Sequence, residues 1–135
     1  MIEYKIEDSL ELREFIDILI ESGLSKRRPM ENPDLLNRML CNSNLMISAR
    51  VEGKLVGFIR ALSDFSYRTF IADLAVVETY QNQGIGRRLL EEARKAGPEA
   101  RLILFAAENA EAFYQKLGFQ LHQRCYQLKP EEHLR

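Results

Sequence analysis

Gly84 and Gly86 stand one residue apart in the polar stretch YQNQGIGRRLLEEA, residues 80–93, just before a run with helical periodicity. A helix N-terminus presents amides without intrahelical acceptors and carries a partial positive charge, so a glycine turn leading into one is a natural seat for phosphate. Glycine leaves no side chain in the anion's way and tolerates positive φ, so successive amides can curl around one anion. The same pattern also serves as plain strand-to-helix punctuation. Neither the Lys-Ser/Thr pair of a P-loop nor a Gly-x-Gly-x-x-Gly with a distant acidic residue is present, which weakens ATP and dinucleotide readings. Two of the carboxylates before the turn are candidates for chemistry. Asp73 is a charge inside the otherwise apolar run RTFIADLAVV, where it needs a partner, and Asp64 lies in the turn SDFSY. Cys41, Cys125, His122 and His133 show no partners at nucleophile or metal-ligand spacing, so neither a covalent acyl-enzyme nor a metal site is expected.

The elements that must position these residues follow from periodicity. Ile2, Tyr4 and Ile6 alternate with charge and predict a strand; Asp8 or Ser9 then caps a helix carrying Phe15, Ile16, Leu19 and Ile20, stopped by Gly23. Asn32-Pro33 predicts the cap and first position of a second, short helix. LMISARV and KLVGFIRAL flank Glu52-Gly53, a two-residue hairpin turn, and RTFIADLAVV supplies a third antiparallel strand. A helix over 84–96 ends at Gly97-Pro98. RLILFA then reads as a strand buried on both faces, ENAEAFYQKL as a helix closed by Gly118, and FQLHQRCYQL as a last strand or hairpin. The expected order β-α-α-β-β-β-α-β-α-β makes a mixed α/β (α+β) sandwich.

With 135 residues and 46% hydrophobic content, the chain is expected to form one domain over 1–135. Its 19 basic and 20 acidic residues nearly cancel, so no overall field draws it to nucleic acid or an anionic membrane. The charged, alternating MIEYKIEDSL lacks a signal-peptide core, and no apolar run reaches the length of a membrane span, so a cytoplasmic protein is expected.

Gln81-x-x-Gly84-x-Gly86 after ADLAVVETY, followed downstream by AFYQKLGF, resembles the paired motifs of the Gcn5-related N-acetyltransferase (GNAT) family. The likeness extends over nearly the whole chain, and GFIRALSDFSYRTFIADLAV is similar to a compact arylalkylamine or serotonin acetyltransferase-like branch. The resemblance implies a mostly antiparallel sheet with helices on both faces and a splayed parallel strand pair that binds acetyl-CoA. The pyrophosphate would meet the turn from Asn82 through Gln83, Gly84, Ile85 and Gly86 to Arg87, and the pantetheine arm would pair with the backbone of Leu74, Ala75 and Val76. Arg87 and Arg88 are each as readily solvated helix-face charges as phosphate ligands.

The implied activity is N-acetylation of a primary amine, on a small molecule or a protein, by direct attack in a ternary complex. Transfer through a tetrahedral intermediate requires an oxyanion donor, for which an amide near Leu74 or Ala75 is suited, a base, and an acid for the thiolate. Tyr114 matches the family's proton donor, a phenol with pKa about 10. The base stays open: the glutamate of some relatives falls at Phe70, leaving Asp73, Asp64 or a water chain. A cofactor-binding Asn of relatives falls at Ala107, with Asn109 about 200° away around a helix. SKRRPMEN would lie where relatives cover the acceptor, with Arg27 and Arg28 either favouring an acidic substrate or forming plain surface charge. These departures keep a second reading alive, an acyl-CoA-sensing module without turnover. Relatives also associate through terminal strands, which allows a homodimer through the edge that FQLHQRCYQL would expose.

Overall fold

A computed structural model describes residues 1–135 as two compact units, 1–105 and 106–135. The first holds a five-stranded sheet made of β1 (Glu3–Ile6), β2 (Leu45–Val51), β3 (Lys54–Ser63), β4 (Arg68–Val76) and β5 (Arg101–Leu104). Spatial order equals chain order; the first three pairings are antiparallel and β4–β5 is parallel. Its helices are α1 (Leu12–Glu21), α2 (Pro33–Cys41) and α3 (Ile85–Ala96). This is the mixed, mostly antiparallel architecture expected from the sequence.

Local chemistry explains the turns. Glu52 and Gly53 adopt φ of 49° and 82°, the double left-handed geometry that matches a two-residue hairpin to the twist of its strands. Between β3 and β4, Asp64 Oδ1 accepts from the backbone N–H groups of Ser66, Tyr67 and Arg68, which folds a four-residue turn around one carboxylate. Asn32 caps α2 by accepting from Leu35 N–H at 3.1 Å, with Pro33 in the first helical position. The first helix starts later than expected, at Leu12, and its cap residue Glu11 makes no side-chain cap bond.

Helices cover both faces of the sheet. Phe58 meets Phe15 of α1 edge-on, with ring centroids 6.1 Å apart, and both rings are fully buried. The preceding residue, Gly57, points to the other face. A Cβ there would stand 2.8 Å from Ile85 Cγ2 and 3.2 Å from Leu89 Cδ1, so its absence lets α3 lie close against the sheet. Ile85, Leu89, Leu90 and Ala93 form the buried stripe of α3.

Two register shifts shape the centre. Val56 is the extra residue of β3 opposite β2, and Ala72 the extra residue of β4 opposite β3. Such bulges bend the strand and re-aim the residues beyond them. β5 departs from expectation: it ends the sheet and its residues are half-buried or exposed, because four residues pair along one edge only.

The second unit contains a 3-10 turn over Glu108–Ala110, helix α4 (Glu111–Lys116) and Gly118 at φ 97°. The expected terminal strand is not formed: 119–128 has no strand, and Leu121, Tyr126 and Leu128 are exposed. Alternation alone does not make a strand without a partner edge. No helix is long and apolar enough to cross a membrane.

Candidate functional site

The site grows from the second half of β4. Its pairing with β5 covers Arg68↔Arg101 to Ile71↔Leu104, but β4 continues to Val76, so Leu74, Ala75 and Val76 lie beyond the last β5 pair. The Ala72 bulge falls where the pairing stops. Phe105, just past β5, sets its ring edge-on to Phe70 at 5.6 Å, so an aromatic pair stands at the root of the fork.

β4 then delivers the chain through a 3-10 turn, Glu78–Tyr80, to the glycine turn. Asn82 and Gly84 both have positive φ, 65° and 84°, and Gly84 is the cap residue of α3. Arg88 N–H bonds Gly84 O at 3.0 Å, so the amides of Ile85, Gly86 and Arg87 precede the first intrahelical acceptor. Residues 81–84 are exposed. Left-handed residues followed by a helix N-terminus form a concave, electropositive backbone surface of the kind that holds phosphates.

The motif glutamine has a role the sequence reading did not assign. Gln81 Nε2 donates to Val76 O at 2.8 Å, pinning the turn to the end of β4. Both arginines run along α3: Arg87 pairs with Glu91 at 3.1 Å, and Arg88 pairs with Glu92 at 3.0 Å while its guanidinium lies 4.6 Å from the Tyr4 ring. Burial pushes the Tyr4 phenol up, opposed by the Arg88 charge.

Asp73 found its partner, and found two. Its side chain is fully buried; Oδ1 accepts from Arg28 Nε at 2.7 Å and Oδ2 from Arg60 Nε at 2.5 Å. Arg60 faces Asp73 across β3–β4, donates also to Ser43 Oγ, and lies 5.9 Å from the Phe15 ring centre. Both oxygens are thus ion-pair acceptors, an arrangement unlike the accessible lone pair a general base needs. Arg60, another single charge in an apolar strand, was the signal that would have found the pair. Arg28 turns inward, while Arg27 is exposed.

Asp64 is exposed and its carboxyl lies at about 2, held down by the amides of Tyr67, Arg68 and Ser66, so its lone pairs serve the turn. Tyr114, in α4 of the second unit, is half-buried between Phe113 and Phe119, whose rings lie edge-on at 5.1 and 5.4 Å. Cys41 and Cys125 are exposed free thiols.

Comparison with known proteins agrees with this architecture. The chain is 39% identical over 72 residues to the GCN5-related N-acetyltransferase 2, chloroplastic, of Arabidopsis thaliana, covering 51% of this chain and 28% of that protein. The chain spans from 28% to 56% of the lengths of the first curated relatives it matches. Among solved structures, a GNAT-family acetyltransferase from Streptococcus pneumoniae superposes with a TM-score of 0.78 at 27% identity over 96% of both chains. The PaiA N-acetyltransferase of Thermoplasma acidophilum, solved in complex with coenzyme A, shares the fold with a TM-score of 0.69 at 20% identity, over 90% of this chain and 91% of that one. Residues 42–121, from before β2 to beyond α4, match the family model described as acetyltransferase (GNAT) domain, and the chain belongs to that family.

Proposed function

We propose that the protein is an acetyl-CoA-dependent N-acetyltransferase that acts on a primary amine by direct attack in a ternary complex, with residues 1–135 working as one domain. The observation that carries it is the course of β4, which outruns β5 and leads through one 3-10 turn into the glycine turn of α3. The fit is in the backbone. Leu74, Ala75 and Val76 would pair with the amides of the pantetheine arm, and the turn over Asn82, Gln83, Gly84, Ile85, Gly86 and Arg87 would hold the pyrophosphate, whose charge suits the N-terminus of α3. When bound, acetyl-CoA supplies an activated thioester carbonyl.

The reaction forms a C–N bond and breaks the C–S bond, with one proton leaving nitrogen and one reaching sulfur. Of the two expected amides, that of Leu74 faces away from β3, since Val77 N–H and by alternation Ala75 N–H point to β3, and it is assigned to stabilise the negative charge that develops on the carbonyl oxygen. Tyr114 is assigned the proton for the departing thiolate. Because Asp73 is spent on two arginines and Asp64 on its own turn, the amine proton is assigned to water rather than to a carboxylate. The apolar Phe70–Phe105 pair suits an acceptor whose amine is carried on an aromatic body, in keeping with the arylalkylamine-like branch. Exposed Leu121, Tyr126 and Leu128 suit a homodimer, read out by light scattering across concentrations; a monomer at every concentration removes it.

Incubation with acetyl-CoA and a panel of arylalkylamines, polyamines and amino-terminal peptides, following free thiol release, tests the function. Turnover is expected with at least one acceptor, and Tyr114→Phe is expected to slow it by about 100-fold. Coenzyme A binding without turnover across the panel would instead support the sensing module, and no binding at all would remove both readings.

A further inference from the structure

Arg28 lies outside every motif, yet it makes the longest reach in the region. It follows the 3-10 turn Leu24–Arg27, in a segment whose backbone bonds are local: Arg28 N–H to Ser25 O, Met30 N–H to Arg28 O, and Asn32 N–H to Pro29 O. Its side chain leaves this segment and enters β4. Nε meets Asp73 Oδ1 at 2.7 Å, Nη2 donates to Ala72 O at 2.9 Å, and Nη1 turns back to Arg27 O at 2.7 Å. One planar group therefore holds three points in fixed relation: its own loop, the carbonyl of the bulge residue, and the carboxylate beside it.

The position of those points matters. Ala72 is the residue at which β4 leaves its β5 partner, and a bulge sets the direction of the strand beyond it. Asp73 is anchored from the other side by Arg60, so it is a rigid post. We propose that Arg28 is a positioning residue that couples the forked half of β4 to the segment 24–32, which its bonds to Ala72 and Asp73 place beside the fork, so that acyl-CoA binding in the fork fixes this segment as a wall for the acceptor amine. This deepens the acetyltransferase reading and rests on the fork being the acyl-CoA site. Ligand pairing with 74–76 stiffens the strand beyond the bulge; the guanidinium passes that restraint to a loop whose own backbone hydrogen bonds are local. A lysine would satisfy Asp73 but lacks the second arm for Ala72 O.

Hydrogen exchange of the full chain, with coenzyme A as the probe, tests the coupling. In the parent, coenzyme A is expected to slow exchange both in 72–76 and in 24–32. In Arg28→Gln and in Arg28→Lys the protection of 72–76 should persist while that of 24–32 is lost, and the KM for whichever amine the parent acetylates should rise by about tenfold with coenzyme A affinity little changed. Protection of 24–32 that survives in either folded variant, or an unchanged acceptor KM, overturns the proposal. If coenzyme A protects 72–76 but not 24–32 in the parent, the coupling alone falls. If it protects neither, the fork is not the cofactor site and both readings fall.

Discussion

At the scale of single residues, Asp73 and Gly86 separate structural from chemical roles. Removing one partner of a buried ion pair leaves uncompensated charge inside, so Asp73→Asn is expected to cost on the order of 3 kcal/mol of stability, measured by urea unfolding. A folded, equally stable Asp73→Asn without turnover would make the carboxylate the base after all. Gly86 is the second residue of α3 and half-buried. Gly86→Val is expected to weaken coenzyme A binding by about tenfold or more with the circular dichroism unchanged; full affinity in the folded variant would show the turn to be punctuation. Much of this was legible beforehand. Glycine at 84 announces a left-handed turn because few other residues tolerate it, and Asp73 announced a partner because an apolar strand cannot leave a carboxylate alone. The second partner was not legible, since Arg28 arrives from a distant loop by tertiary folding alone.

Among the elements, the contact of α3 with the sheet decides whether the glycine turn is aimed correctly. Gly57→Val places new atoms where Ile85 and Leu89 already sit, and overpacking of this kind costs about 1–3 kcal/mol. Because Ile85 is also the first residue of α3, the same variant is expected to weaken coenzyme A binding, whereas a surface change such as Arg94→Ala should not. Calorimetry of the two variants checks it, and equal affinities would detach the turn from this packing. The sequence announced α2 and the hairpin through Asn32-Pro33 and Glu52-Gly53, whose backbone preferences are local. It misled at 119–128, where alternation reports a preference for extended chain but not the existence of an edge to join. It was silent on Gly57, whose meaning depends on a helix that returns from later in the chain.

For the whole molecule, pH and folding order follow from the same contacts. Burial pushes the Glu7 carboxyl up, but hydrogen bonds from Ser48 and Arg50 and the charges of Arg50 and Lys5 outweigh it, and the net is below the ordinary 4.5. Arg50 also bonds Glu14, so the cluster ties β2 to α1 and to the segment after β1. A lowered folded value means that Glu7 contributes stability above pH 4.5 and loses it as pH falls through that folded value. Unfolding free energy should decline on acidification below that point, and Glu7→Gln should flatten the decline; an unchanged slope would place the acid sensitivity elsewhere. The fork has a further consequence, one of time rather than of binding. β2, β3 and β4 join through short turns, so their contacts close small loops, whereas the four pairs of β5 must wait for all of α3 to be threaded and docked. The parallel pair is thus gained after the meander of β2, β3 and β4 during folding. A newly made chain would hold its three-stranded meander before it can grip a ligand, and the ligand's arrival would act as the final step of its maturation.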